Sequence, residues 1–308
     1  MTQAALPSEP LVSIVMPVFN GRTTFERAID SILSQTYKRT EVIVCDNASF
    51  DGTHLIIERK LWDQRVRHIR HPDNIGAVAN FLYGISATRG DYILIAGDDD
   101  YWEASYIEKM LALMDPKRGI GIAQAGIART TTAGQIVNIC QLMDHTAHLR
   151  DVDQRTLSSA RARLRHLLFS ERCSDDYNPC NMLVLSLVHG PTMREFARTY
   201  PTDLIHDRAF MAGIVVKVGW RFTKEVLMTK VSVHNKPYSE RRAPKLGEAE
   251  TLTRDKSKYT NRKKILITLN QLLKSNLNFS EIVFVVLPQY LYFLKSELLG
   301  QIRKTHVN

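Results

Sequence analysis

Apolar positions in the first hundred residues switch repeatedly between short continuous runs and helical spacing. Leu11 to Val18 is a β-branched run closed by Pro17, and Glu41 to Asp46 is a second run that finishes on a carboxylate. Both read as buried strands bounded by turn-forming residues. Between them Phe25, Ala28, Ile29, Ile32 and Leu33 recur on one helical face. Thr23 stands three residues before Glu26, the spacing of a capping box, so the helix is expected to start there. A third cycle gives a helix at Leu55 to Trp62 and a strand at Val66 to Arg70. After the loop His71-Pro72-Asp73-Asn74-Ile75-Gly76, a helix from about Ala77 to Ala87 leads into the apolar run Tyr92 to Ala96. This alternation predicts an α/β fold with a Rossmann-like, mostly parallel central sheet flanked by helices.

The second half is less regular. Glu103 to Met114 reads as a helix, and Gly121 to Arg129 and Ile136 to Cys140 as strands around a Thr131-Thr132-Ala133-Gly134 turn. Thr156 to Phe169 has the stripe of an amphipathic helix whose arginines, Arg155, Arg161, Arg163 and Arg165, read as a solvated face. A strand near Met182 to Val188, a polar loop through Pro191 and Pro201, a helix from Asp203 to Val218 closed by Gly219, and a strand from Trp220 to Val233 follow. Glu240 to Lys264 is polar and dense in Lys and Arg, the pattern of a connector or lid. Ile265 to Leu273 opens a helical tail, and Ile282 to Leu294 is almost continuously apolar, interrupted by Pro288 and Gln289. That run is too short to span a bilayer alone. With Lys274, Lys295, Arg303 and Lys304 on its flanks, it suits a helix lying in a membrane interface, or one packed on the α/β domain or a second subunit. The expected division is a disordered leader at 1–10, halves at 11–115 and 116–238, a connector at 239–264 and a tail at 265–308.

Composition narrows the partners. The chain has 308 residues, 44% hydrophobic and 24% charged, enough for a sizeable core in a globular protein. Its formal charge of +9 favours anionic partners: nucleotide phosphates, nucleic acid or an acidic membrane surface. Nucleic acid is set aside, because the basic residues are spread or concentrated in the connector, with no helix-turn-helix or aromatic sheet signature. Cys45, Cys140, Cys173 and Cys180 form no Cys-x-x-Cys pair and read as free thiols in a reducing compartment. No signal peptide or transit sequence is visible. Nothing in the sequence sets an oligomeric state.

The candidate chemistry lies at strand ends. The run Tyr92 to Ala96 breaks off in Gly97 and three consecutive carboxylates, Asp98, Asp99 and Asp100. Ligands of open α/β sheets bind at such ends. Adjacent aspartates repel one another unless a cation or hydrogen-bond donors neutralise them, so a divalent metal site is preferred over a solvated turn. Pro17 to Gly21, Asp46 to Thr53 and Asp98 to Asp100 all follow strands, and should converge on one crevice. Neither a dinucleotide Gly-x-Gly-x-x-Gly after the first strand nor a P-loop accounts for it.

Five ordered segments carry a family resemblance: Val12 to Gly21, Ser31 to Tyr37, Glu41 to Thr53, Asn74-Ile75-Gly76 and the Asp triplet. Together they resemble the GT-A glycosyltransferases of family 2, over residues 11 to about 115. The resemblance implies a nucleotide-sugar donor site, with Pro17, Val18, Phe19, Asn20 and Asp46 around the nucleobase and Asn74 and Gly76 along the nucleoside. Mn²⁺ or Mg²⁺ is expected on the diphosphate, held by Asp99 with Asp100 in support, while Asp98 lies nearer the ribose. The family's common pattern is Asp-x-Asp-Asp; with Trp102 as register mark, Gly97 replaces its first carboxylate.

In the second half the family's Glu-Asp pair aligns with His206-Asp207, which implies Asp207 as catalytic base, with Asp203 read as a helix cap. His234, at the return of the last strand, is the third candidate metal ligand. The implied activity is inverting transfer of a sugar from a nucleotide donor to an acceptor hydroxyl on a glycan or lipid-linked acceptor, in bacterial surface polysaccharide or glycolipid assembly. The expected location is the cytoplasm, in peripheral contact with the inner face of the cell membrane. The alternative is a sugar-nucleotide-binding regulator without turnover.

Overall fold

The structure is a computed structural model and describes residues 9–131, 133–140, 163, 183–200 and 207–231. In chain order the elements are β1 (Val12–Val18), α1 (Phe25–Leu33), β2 (Thr40–Asp46), α2 (Thr53–Glu58), β3 (Val66–Arg70), α3 (Ala77–Ser86), β4 (Tyr92–Ile95), β5 (Asp100–Trp102) and α4 (Tyr106–Leu113). Then come β6 (Ile120–Thr130), β7 (Ile136–Cys140), β8 (Leu187–His189), α5 (Gly190–Ala197), α6 (Asp207–Lys217) and β9 (Gly219–Val231).

These strands form one sheet in the order β3-β2-β1-β4-β8-β6-β9-β5, with β7 also paired to β6. β1 to β4 are mutually parallel. The second half is mixed: β8 runs antiparallel to β4 and β6, β9 parallel to β6, and β5 antiparallel to β9. Helices cover both faces of the parallel part, so its strands read as continuous apolar runs rather than alternating ones. Alternation is still present in the packing. Val12, Ile14 and Met16 of β1 join the core with α1 and α4, while Val15 joins the core with α3, α5 and α6.

Several expected elements differ in detail. Helix α1 begins at Phe25 after Thr24, without a side-chain cap. The first turn is closed by the Gly21 carbonyl, which accepts from the Thr24 and Phe25 amides at 2.9 and 2.8 Å. Glu26 instead pairs with Arg59 and Lys60 at 3.5 and 3.8 Å. β1 continues one residue past Pro17, which pairs with Cys45 after the ladder to β4 has ended at Val15. α2 stops at Glu58, and α4 starts only at Tyr106. The expected strand at Met182 to Val188 is a single helical turn over residues 183–185 followed by β8.

The loop expected through Pro191 is helix α5, with Pro191 in its first turn, where a missing N–H costs nothing. Arg163 is 4% exposed rather than solvated. Its Nε donates to Val215 O at 2.5 Å and its Nη2 to Val216 O at 3.0 Å, satisfying carbonyls at the end of α6. Burial pushes its pKa down to about 10. Cys45 is a free, buried thiol whose pKa burial raises to about 12. Among the described residues no helix is long and apolar enough to cross a membrane; the run Ile282 to Leu294 and the connector lie outside them.

Candidate active site

The loops after β1 and β2 are laced together. Asn47 N donates to Val18 O, Asn20 N to Ser49 Oγ and Phe50 N to Asn20 Oδ1, each at 2.9 Å. Arg22 N donates to Asp51 Oδ2 at 3.0 Å. Asn20 and Ala48 both take positive φ, 56° and 61°, which non-glycine residues adopt only where the surroundings enforce it. Phe19 and Phe50 meet edge to face, ring centres 6.1 Å apart, and Phe50 leaves 68% of its surface exposed.

The loop after β3 joins them. His71 N donates to Asp46 O at 2.9 Å, Asn47 Nδ2 to Asn74 Oδ1 at 2.8 Å and Ile75 N to Asn47 Oδ1 at 2.9 Å. Gly76, at φ 89°, also donates its amide to Asn74 Oδ1 at 2.9 Å. The Asn74 oxygen thus shapes the loop, which brings Asn74 and Gly76 beside the end of β2.

Asp46 is fully buried. Its Oδ1 accepts from Ser49 N at 2.8 Å, while Oδ2 accepts no hydrogen bond. His68 Nε2 stands 3.7 Å and Arg70 Nη1 3.4 Å from Oδ2. Burial works to raise the Asp46 pKa, but the His68 ring, the Ser49 hydroxyl and amide and the Arg70 charge outweigh it and hold the carboxyl below its ordinary range. Sequence reasoning missed His68 and Arg70. The strand period of two places them on one face of β3, and the register sets Arg70 beside Asp46 and His68 beside Val44.

The acidic triplet follows β4, and the chain just past it is held by the end of α1 and the turn after it. Ser31 Oγ accepts from Trp102 N at 3.2 Å, Gln35 Nε2 donates to Glu103 O at 2.8 Å, and Gln35 Oε1 accepts from Ile107 N at 3.0 Å. Thr36 N closes the clamp on Ala104 O at 2.8 Å. The Ser31 to Tyr37 segment therefore fixes the chain just past the aspartates. Asp98 reaches the β1 loop: a Cβ on Gly21 would meet Asp98 Oδ2 at 2.9 Å. Asp99 is half-buried. Asp100, 1% exposed, opens β5 and receives Lys230 Nζ of β9 at 3.1 and 3.4 Å. Burial, opposed by Lys230 and helped by Asp99, raises its pKa to about 6.

The triplet also has a cradle. A Cβ added at Gly97 would sit 3.0 Å from Asp100 Oδ2 and 3.3 Å from Asp99 Oδ1, so two carboxylate oxygens of different residues converge on space that only glycine leaves open. A pair of carboxylates with the remaining positions left to phosphate and water is the donor set a hard divalent cation uses. Among the described residues no group of three or more His, Cys, Asp or Glu side chains gathers as a protein-only metal cage. Asp207 opens α6, whereas Asp203, His206 and His234 lie outside the described residues.

Residues 13–140 match the model of "Glycosyl transferase family 2". This segment belongs to family 2 of the glycosyltransferases. It is 34% identical over 108 residues to the UDP-Glc:alpha-D-GlcNAc-diphosphoundecaprenol beta-1,3-glucosyltransferase WfaP of Escherichia coli, covering 35% of this chain and 43% of WfaP. WfgD of the same species, named for the same activity, is 32% identical over 104 residues, covering 34% of this chain and 41% of WfgD. The matches thus span less than half the length of these curated relatives.

Among solved structures, S. aureus TarS in complex with UDP superposes with a TM-score of 0.59 at 12% identity, covering 89% of this chain and 69% of that one. The mannosyltransferase PcManGT of Pyrobaculum calidifontis, in complex with GDP-Man and Mn²⁺, gives 0.53 at 14% identity, covering 90% and 68%. At such identities the likeness shows the fold, which is of GT-A type.

Proposed function

We propose that the whole chain is an inverting, metal-dependent glycosyltransferase that moves a sugar from a nucleotide-sugar donor to the hydroxyl of a glycan or lipid-linked acceptor in envelope polysaccharide or glycolipid assembly. The observation that carries this is the lacing of four family 2 segments, the loops after β1, β2 and β3 and the acidic triplet, at the carboxyl ends of the parallel strands. The nucleobase lies between Phe19 and the Asp46 carboxylate, and the nucleoside runs along Asn74 and Gly76. Asp98 faces the ribose. Asp99, with Asp100 beside it, would hold Mn²⁺ or Mg²⁺. Such a cation supplies Lewis-acid stabilisation of the charge that develops on the departing diphosphate.

Asp207, at the start of α6, takes the proton of the acceptor hydroxyl as that oxygen attacks the anomeric carbon opposite the diphosphate. His234 is a third metal or diphosphate ligand in this reading, and the basic, apolar tail is the contact with the membrane. The acceptor follows the activity for which WfaP and WfgD are named, transfer to an alpha-D-GlcNAc-diphosphoundecaprenol.

The test is release of nucleoside diphosphate from a panel of nucleotide sugars by the full chain, with Mn²⁺ and with chelator, with and without undecaprenyl-type acceptors. Metal-dependent release, accelerated by one acceptor, is expected. Tight donor binding with no turnover on any acceptor would favour the regulator instead.

A further inference from the structure

We propose that Arg129 of β6 and Lys230 of β9 form a second anion site beside the acidic turn, one that holds the diphosphate of the acceptor rather than that of the donor. The inference rests on the reading of the chain as a transferase with a lipid-linked diphosphate acceptor, and assigns to that acceptor the side chains that recognise it. It starts from strand register. Ile127 of β6, Met228 of β9 and Trp102 of β5 stand side by side, and all three join the apolar core. Two positions on, toward the carboxyl ends of β6 and β9 and on the same face, the row is Arg129, Lys230 and Asp100. An apolar row thus gives way to a charged one, with two cations next to each other and a carboxylate at the edge.

The charged row stands over the crevice. β4, β8 and β6 are level at Leu94, Leu187 and Ala123. β4 ends at Ile95, whereas β6 continues to Thr130 and β9 beside it to Val231. Both run in the direction of β4, so they overhang the end at which the acidic turn lies. Asp100 Oδ2, one of the two oxygens that converge on the Gly97 cradle, is also the oxygen 3.1 Å from Lys230 Nζ. The row therefore begins at the cradle and leads away from it across β9 to β6. Arg129, two strand spacings from Asp100, lies about 10 Å from it, backbone to backbone.

Like charges directly opposite on neighbouring strands repel. Lys230 is matched by Asp100, and Arg129 adds a second cation, so the row bears one positive charge more than negative ones. Both cations keep contact with water: the Lys230 side chain is 27% exposed and Arg129 is half-buried. An anion laid across the two turns their repulsion into attraction, and a guanidinium fork meets phosphate oxygens in pairs. The donor's diphosphate belongs at the cradle, with the cation. Arg129 stands further along the row, separated from the cradle by about the width of a sugar ring. The acceptors for which WfaP and WfgD are named carry a diphosphate on the GlcNAc to which glucose is transferred. A diphosphate one ring away from the accepting hydroxyl is the anion that this position suits.

Calorimetry on the full chain, with Mn²⁺ and a saturating amount of the nucleoside diphosphate it binds best, tests this with two probes. One is GlcNAc-diphosphodecane; the other is decyl GlcNAc, which lacks the diphosphate. The first should bind at least about tenfold more tightly. Arg129→Gln should bring the two to within about threefold of each other, while Arg129→Lys, which keeps the charge, should retain part of the preference. Nucleoside diphosphate affinity should hold in both variants. A parent without preference for the diphosphate probe, or an unchanged preference in Arg129→Gln, overturns the inference and leaves the donor site standing. Weakened nucleoside diphosphate binding in Arg129→Gln gives Arg129 to the donor and overturns it as well. Should Arg129→Gln fail to fold, Arg129→Lys and the parent's ranking of the two probes decide. Absence of binding by every nucleoside diphosphate overturns the donor reading, and this inference with it.

Discussion

Lys230 on β9 sets its ammonium 3.1 Å from the carboxylate of Asp100 on β5, within a pair of directly opposed strand residues. Asp100 is 1% exposed, so the pair is largely desolvated. Removing one partner of a buried pair strands the other charge, a loss of about 3–5 kcal/mol. Lys230→Met should therefore lower the denaturant midpoint markedly. The double variant Lys230→Met with Asp100→Asn should recover much of it. Equal midpoints for Lys230→Met and parent would show that the pair contributes nothing.

The cradle over Gly97 gives a second prediction. Asp99→Ala removes one converging carboxylate and relieves repulsion, so Mn²⁺-dependent donor binding should be lost with the melting temperature unchanged or raised. Gly97→Ala places a methyl 3.0 Å from Asp100 Oδ2 and 3.3 Å from Asp99 Oδ1, and should weaken Mn²⁺ binding without removing any ligand. Mn²⁺ titration followed by electron paramagnetic resonance reads both. Parent-like affinity in both variants would move the metal elsewhere.

Asp207→Asn should reduce sugar transfer by at least about a hundredfold, since a positioned base contributes about 10² to 10⁴ in rate. Donor affinity and melting temperature should hold. Asp203→Asn should cost much less, because Asn caps a helix about as well as Asp. Steady-state rates for the two variants settle the order, and the reverse order would assign the base to Asp203.

Stability against pH has a site of its own at the opposite end of the sheet. Buried Glu41 accepts from Ser13 Oγ at 2.5 Å, Arg89 N at 2.8 Å and Arg89 Nη2 at 3.1 Å. Burial alone would raise its pKa, but these donors and the Arg89 charge outweigh burial and lower it from the ordinary 4.5. A depressed carboxylate contributes stability that is present above its unfolded pKa and is lost as pH falls through the folded one. Glu41→Gln should cost about 1–3 kcal/mol at pH 7, and its gap to the parent should narrow as pH drops below the ordinary 4.5. Melting curves from pH 7 down to pH 3 test this; a gap that widens on acidification refutes it.

The parallel half was legible because strands covered on both faces, such as β1 and β2, leave unbroken apolar runs. Their polar residues then mark the ends: Asn20, Asp46 and the aspartates stood out for that reason. Helix α5 was not legible, since Pro191 breaks a helix anywhere but in its first turn, and the sequence does not say which case holds. β8 pairs for three residues only, too few for a period. His68 and Arg70 looked like the charges of an edge strand, and only the register against Asp46 gives them a second meaning. Arg163 belonged by pattern to a polar helix face. Its burial depends on α6, whose carbonyl end lies more than fifty residues away in sequence.

β5 has a consequence for building hybrid enzymes. It lies in the first half of the chain and opens on the last of the three aspartates, yet its strand partner is β9, near the end of the described residues, through Trp102 with Met228 and Asp100 with Lys230. A fusion joint placed soon after α4 would deliver the acidic segment to a foreign strand with no matching ammonium and no matching register. Exchanging the loops that decorate β6 to β9 between relatives therefore calls for keeping Met228 to Lys230 native, so that the recipient keeps the strand on which its own acidic turn is hung.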